Sequence, residues 1–403
     1  MGGLSPLHTS NRAALAGREE AREVPGIDLA AQHAALEPEL SAALARVWAH
    51  GRFILGPEVA AFEEALAARV GAGAAVGCAS GSDALLLALS AEGIGPGDAV
   101  ITTPYTFFST AGSVARLGAT PVFLDIDPET FLLSLPALER YLSGCRQTSA
   151  GLVDPRRGLR VRGIIPVHLF GAALRMAPLL QLARAAGLFV LEDAAQAIGA
   201  EDEGQAIGAR GEMGALSFFP SKNLGAAGDG GAVLLRDAAR AERLRELRVH
   251  GMSKRYEHQR LGMNSRLDTL QAAILLTKLP RLGMYTEARR SLARTYQEQL
   301  GDLPGLMLPR QRSGDVWNQF VLRHPKRDAL RAFLEERKIA TAIYYPKPLH
   351  MQPAFQSLGY REGDCPQAEA AALSSLALPV YPELGETRQR WVIEAVRSFC
   401  LSA

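Results

Sequence analysis

Residues 217–231 read SFFPSKNLGAAGDGG. A strand-like apolar run ends at one lysine, Lys222, and a glycine-rich loop follows. A lysine that serves only as a surface charge belongs on a solvated helix face. Behind Phe218, Phe219 and Pro220, desolvation favours the neutral amine. A neutral amine is a nucleophile for carbonyls. The rest of the chain decides whether this lysine has a carbonyl to attack.

On either side of that stretch the pattern alternates. Short apolar runs (AAVGCA, DAVITTP, TPVFLDI, GIIPVHLFG, LFVLEDA) are separated by helical segments (SDALLLALSAEG, TFFSTAGSVARLG, PALERYL, MAPLLQLARAAG). Such alternation predicts an α/β fold with a mainly parallel sheet covered by helices. MGALSFFP and GAVLLR read as two further strands flanking the lysine loop. One helix is expected from Asp28 to Gly51 and another from Pro57 to Gly71. The stretch 144–163 reads as a surface insertion between a helix and a strand. We divide the chain into a flexible tail, 1–23, a large domain, 24–275, and a smaller C-terminal α/β domain, 276–403.

Composition narrows the class. The chain has 403 residues, 48% hydrophobic and 21% charged, which suffices for a sizeable core. A formal net charge of +2 is too balanced for a nucleic-acid footprint. The four cysteines, Cys78, Cys145, Cys365 and Cys400, show no metal spacing, so no metal is expected. Residues 1–20 lack the apolar core of a signal peptide. The longest charge-free run, Ala99–Ala115, contains Pro104 and several hydroxyls and does not read as a membrane span. A cytoplasmic enzyme is the expectation.

In an open parallel sheet, ligands bind beyond the carboxyl ends of the strands. Four features fall there. ASGSDAL, 79–85, offers Gly81 and Ser82 at a helix N-terminus, suited to a phosphate or to a plain N-cap. TPYTFF, 103–108, offers aromatic plates at Tyr105, Phe107 and Phe108, or core packing. LFVLEDAAQ, 188–196, ends in Asp193, either a helix cap or a partner for a protonated ring nitrogen. The fourth is Lys222, with Ser217 and Ser221 as phosphate-facing hydroxyls. A phosphate cradle, an aromatic plate, a carboxylate and an amine together are what pyridoxal 5'-phosphate requires. Lys222 would form a Schiff base with the cofactor aldehyde, and Asp193 would keep the ring nitrogen protonated.

LEDAAQAIGA, SFFPSKNLGAAGDGGAV, GSDAL, TPYTFFSTA and PVHLFG resemble the DegT/DnrJ/StrS-type family of nucleotide-sugar aminotransferases, from about Val24 to the C-terminus. The resemblance implies a type I pyridoxal-phosphate-dependent aminotransferase fold and a homodimer with shared active sites. It makes Lys222 the Schiff-base lysine and Asp193 the partner of the ring nitrogen. It sets Gln196 by the phenolic oxygen, Phe107 on the ring, and Gly81, Ser82 and Ser217 on the phosphate. It brings Asn264 from the neighbouring subunit to that phosphate, and Arg266 to the partner's substrate site. His168, Tyr344, Tyr345 and His350 are expected at the sugar; for His168, a buried hydrogen-bonded histidine is the other reading. SKRYEHQRLGMNSRLDTLQAAILLTKL and FILGPEV look most like enzymes acting on UDP-linked 3-keto sugars, a 2-acetamido-3-keto hexose or its uronate, with L-glutamate as donor. Tyr344 stands where relatives handling a uronic acid often carry histidine. Two alternatives remain open at this point: amination of a 4-keto sugar, and a non-catalytic nucleotide-sugar binder. Family dehydratases replace the lysine with histidine, a cysteine desulfurase needs a supported loop cysteine, and a P-loop needs GxxxxGK[ST]. The chain meets none of these three patterns.

Overall fold

The computed structural model describes residues 23–149, 151–310 and 312–402. Apart from Glu23, the expected tail lies outside the described residues. The large sheet runs through β1 (Ala74–Cys78), β2 (Asp98–Thr102), β3 (Thr120–Phe123), β4 (Leu159–Ile164), β5 (Phe189–Asp193), β6 (Met213–Ser217) and β7 (Gly231–Leu235). Their spatial order is β1-β7-β6-β5-β4-β2-β3. Only β7 runs antiparallel to both of its neighbours; the other pairings along this path are parallel. The mainly parallel α/β sheet expected from the sequence is therefore what forms.

Helices cover both faces. On one, α4 (Gly81–Ala91) and α8 (Ala241–Leu247) pack Leu85, Leu89 and Leu244 against Val76, Val100, Leu191 and Val233. On the other, α3 (Pro57–Val70) and α9 (Thr269–Lys278) pack Phe62, Leu66 and Leu275 against Ala75, Leu216 and Leu234. Further along that face α6 (Leu135–Ser143) and α7 (Met176–Ala186) cover Ile101, Val122 and Val190. Successive strand residues thus feed opposite layers, as the pleat dictates.

Two sequence expectations are corrected. The helix expected from 28 to 51 divides into α1 (Leu29–Ala34) and α2 (Glu37–His50). Pro38 lies in the first turn of α2 and lacks the N–H that would continue the earlier helix. The stretch 144–163 is a surface insertion only in its first part, up to about 158. It forms a hairpin, Arg146–Thr148 with Gly151–Asp154, and then most of β4, which lies inside the sheet between β2 and β5.

A smaller layer holds β8 (Phe320–Arg323) antiparallel to β9 (Ser375–Leu378). α10 (Leu282–Leu300), α11 (Arg327–Glu336) and α13 (Gly385–Ser402) surround it, while α12 (Pro366–Ser374) packs back on the large core. The division drawn at 275/276 falls inside α9, and the chain goes on packing with the large sheet past that helix, at Leu279 and Leu282. Val24, assigned to the large domain, instead packs in the C-terminal cluster and bonds Lys338 and Ala340.

Candidate active site

Register brings the candidate residues together. Gly231 pairs with both Cys78 and Ser217, so β1, β7 and β6 meet at one edge. Ala215 pairs with Asp193, which sets the carboxylate next to the end of β6. At that edge Gly81 opens α4. A Cβ placed there would stand 2.7 Å from the Ser217 Cβ, so only glycine allows this closeness. Ser80 caps the helix by accepting from the Asp83 N–H at 3.1 Å. The first-turn N–H groups of Gly81 and Ser82 have no helical partner and face outward from the helix start. The Ser82 Oγ stands 2.5 Å from the Ser109 Oγ. Backbone and hydroxyl donors arranged in this way could hold a phosphate.

Asp193 is buried. Its Oδ2 accepts from the Thr110 hydroxyl at 2.7 Å, and its Oδ1 from the Ala195 N–H at 3.2 Å. Burial pushes its carboxyl up, against the pull of Thr110, the Ala195 N–H and Lys222. Burial also lowers the Lys222 ammonium to about 8, opposed by Asp193. Gln196 accepts from the Phe170 N–H at 2.7 Å and donates to the Tyr345 hydroxyl at 3.2 Å. Phe107 leaves its ring 57% exposed, 6.2 Å from the ring of Tyr345. A flat ligand can therefore reach its face. Glycine cradle, buried carboxylate, depressed lysine and open aromatic face fit pyridoxal phosphate. Bound there, the cofactor supplies an aldehyde and an electron-withdrawing ring.

The chain matches the profile of the "DegT/DnrJ/EryC1/StrS aminotransferase family" over residues 35–397. It belongs to that family. A "Pleiotropic regulatory protein" of Geobacillus stearothermophilus is 48% identical over 93% of this chain and 98% of its own. The "UDP-N-acetyl-3-dehydro-alpha-D-glucosamine 3-aminotranferase" of Acidithiobacillus ferrooxidans is 42% identical over 93% of this chain and 97% of its own. The "dTDP-3-amino-3,4,6-trideoxy-alpha-D-glucose transaminase" of Streptomyces venezuelae is 42% identical over 96% and 98%. A crystal structure of a family aminotransferase from Brucella abortus superposes with a TM-score of 0.89 at 41% identity, covering 94% of this chain and all of that one. The fold is that of the type I aminotransferases, and the chain is an aminotransferase that uses pyridoxal 5'-phosphate.

Not every expected residue of this aminotransferase lies at the site. His168 is wholly buried. Its Nε2 meets Glu192 at 3.0 Å, and its Nδ1 accepts from the Leu174 N–H at 3.1 Å. With both nitrogens taken it has none for a sugar, and the buried-histidine reading stands. Glu192 behind it also accepts from the N–H groups of Gly208, Arg210 and Gly211. Burial works to raise this carboxyl, but His168 and the backbone donors outweigh it and hold it low. The His168 N–H in turn donates to the Asp193 carbonyl at 3.0 Å. The pair is thus a strut beneath Asp193.

His350 is buried too, but only one of its nitrogens is engaged: Nε2 meets Glu369 at 2.9 Å, while Nδ1 has no hydrogen-bond partner among the described residues. Tyr345 lies against Gln196 and Phe107, and Tyr344 precedes it with its ring 5.8 Å from that of Tyr345. The Tyr344 carbonyl accepts from the Tyr105 hydroxyl at 2.6 Å, and that hydroxyl also meets Ser375 at 2.6 Å. Tyr105 therefore ties the large sheet to the C-terminal layer rather than offering a plate. Asn264 is exposed and Arg266 half-buried. Between them Ser265 is buried and docks on the cradle, donating to Asp83 at 2.8 Å and accepting from the Ala79 N–H at 3.3 Å. Thr110 and Ser109 escaped the sequence reading. Thr110 lies three residues, one helical turn, beyond Phe107, and that spacing is the signal that would have found it.

The depressed lysine gives a pH prediction. In protein stripped of cofactor, the rate of covalent capture of pyridoxal phosphate should rise about tenfold per unit as pH approaches 8, then level off, because a lowered pKa frees the amine earlier. A solvated lysine would still be gaining rate near pH 10. Stopped-flow absorbance reads the profile, and a plateau reached only above pH 10 removes the desolvated-amine account.

Proposed function

We propose that this aminotransferase passes the amino group of L-glutamate to C3 of a UDP-linked 3-keto sugar, a 2-acetamido-3-keto hexose or its uronate. Sugar amination is the activity that the names of two of these relatives print. The convergence of Lys222 and Asp193 beside the open face of Phe107 carries the catalytic part of the reading. Lys222 Nζ takes the aldehyde and, once released, moves the proton at the substrate carbon. Asp193 holds the proton on the ring nitrogen. Gln196 faces the phenolic oxygen, Phe107 covers the ring, and Gly81, Ser82 and Ser217 hold the phosphate. Tyr344 and Tyr345 line the sugar side; burial pushes the Tyr345 phenol up, so it remains a hydrogen-bond donor through neutral pH.

The preference for C3 rests on the relatives' names, two of which specify a 3-amino product. They differ in the nucleotide, UDP or dTDP. A screen of both nucleotides with 3-keto and 4-keto sugars, and NMR assignment of the amino carbon, tests the choice. Exclusive turnover of a dTDP or a 4-keto sugar would overturn it.

We also infer a homodimer with shared sites, working in the cytoplasm. No described helix is long and apolar enough to cross a membrane. Trp48 at 65%, Tyr256 at 80% and Leu261 at 100% exposure are large apolar side chains beside the Asn264–Arg266 turn or on α2. Covering them would bring Asn264 and Arg266 to a partner's phosphate and substrate. Mixing Arg266→Ala with Lys222→Ala subunits should restore roughly a quarter of wild-type activity, the expectation for one intact shared site in half of the dimers. An inactive mixture of verified heterodimers argues for self-contained sites.

The relative named a regulatory protein favours the binder as a second reading. L-glutamate separates the two. It should shift the holoprotein's absorbance from near ~420 nm towards ~330 nm in a transaminase, and leave it unchanged in a binder.

A further inference from the structure

A second lysine touches the lysine loop. Lys278 closes α9, where an ordinary lysine would reach past the helix end into water. Here it is 1% exposed. Its Nζ donates to the Gly225 carbonyl at 2.9 Å and lies 3.1 Å from the His33 Nε2. No ion pair forms at Lys278 among the described residues. Burial lowers its ammonium to about 8, opposed by the charge of Glu383; such burial is costly, and the residue's contacts show what it holds in return.

Gly225 is the return point of the loop that carries Lys222. The Lys222 N–H bonds the Phe219 carbonyl at 2.8 Å, and the Ala226 N–H bonds the Phe218 carbonyl at 2.8 Å, so residues 218–226 fold back on themselves. Gly225 packs so tightly on Pro220 that a Cβ would strike the proline carbonyl. One side of the loop is fixed by Asn223, which donates to the Val316 carbonyl at 3.0 Å and accepts from Asn318 at 2.9 Å. Lys278 supplies the anchor from the α9 side. His33 comes from α1, itself tied to the C-terminal layer: Asp28 pairs with Arg388 at 3.3 Å, and Gln32 donates to Glu383 at 3.2 Å.

We propose that Lys278 is a positioning residue for Lys222: by clamping the Gly225 carbonyl it keeps the Lys222 amine within reach of the cofactor aldehyde, and His33 on α1 sets Lys278 for that contact. The effect is geometric. Nζ needs two N–H groups for its two contacts, and a lysine has them in either protonation state. The inference rests on Lys222 being the residue that takes the cofactor aldehyde.

The test compares two ligands on the full chain stripped of cofactor. Pyridoxal 5'-phosphate engages Lys222 covalently; pyridoxamine 5'-phosphate has no aldehyde and uses only the cradle, the plate and Asp193. Lys278→Met keeps the length and apolar stem but removes the donor. It should weaken pyridoxal phosphate about tenfold relative to wild type, with pyridoxamine phosphate changed less than about twofold. His33→Leu, at a partly exposed position, should lower the same ratio about threefold. A general loosening of the fold would weaken both ligands alike, and that result, or an unchanged ratio, overturns the proposal. Where Lys278→Met fails to fold, the His33→Leu ratio decides in the same way. Borohydride reduction of wild-type holoprotein separates the premise: label on a residue other than 222 defeats the assignment of Lys222, whereas label on 222 with unchanged ratios defeats only the role of Lys278.

Discussion

Lys222→Ala is expected to lower turnover by at least ~10³-fold while leaving a folded protein that still binds pyridoxal phosphate. Two losses act together. In the proposed reaction the residue supplies the nucleophile that fixes the cofactor and the base that moves the substrate proton; proton transfer by a placed side chain alone is worth about 10²–10⁴. The fold should not suffer. Burial holds the Lys222 ammonium down at about 8, which means that charge is unwelcome where it sits. Removing it relieves that desolvation, and Asp193 keeps its bonds from Thr110 and Ala195. The variant stripped of cofactor should melt within a few degrees of equally stripped wild type. Steady-state turnover, a melting scan and borohydride labelling check the three parts. Turnover within tenfold of wild type would remove Lys222 from the chemistry.

What the sequence discloses and what it hides have physical causes. The edge of the sheet was readable because each feature there breaks a local rule. A lysine follows an apolar run, an acidic residue ends a strand, and glycine opens a helix. The two histidines were not readable in the same way. A lone imidazole in PVHLFG or PLHMQP has one spelling whether it meets a substrate or a buried carboxylate, and the partners Glu192 and Glu369 lie 24 and 19 residues away. The β4 strand was hidden by its charges. Arg160 and Arg162 make LRVRGI look solvated, yet both turn to Asp98 at the start of β2, at 2.7 and 3.5 Å, while Val161 and Ile164 enter the core. The clamp at Gly225 was equally silent, since Lys278 at the end of an amphipathic helix reads as a solvated residue.

Asp193→Asn is the sharper test of the electronic half of the site. The amide has nearly the shape of the carboxylate, and its oxygen still accepts from Thr110 or from the Ala195 N–H, so packing and cofactor retention should survive. What goes is the negative charge. A neutral amide cannot stabilise a protonated ring nitrogen, and within a buried pocket the loss of a placed charge costs more than it would in water. Turnover should fall about 10³-fold, within the range seen when a single preorganised electrostatic partner is removed. A cofactor methylated on the ring nitrogen carries a fixed positive charge and does not need Asp193 to keep a proton there. Reconstitution with that analogue should recover at least about tenfold of the loss in Asp193→Asn and bring no gain to wild type. Full activity of the variant with ordinary cofactor would reduce Asp193 to a cap on the residues that follow it. A large loss without rescue would mean that the carboxylate acts through the loop geometry it shares with Thr110 and the His168–Glu192 strut, rather than through its charge on the ring.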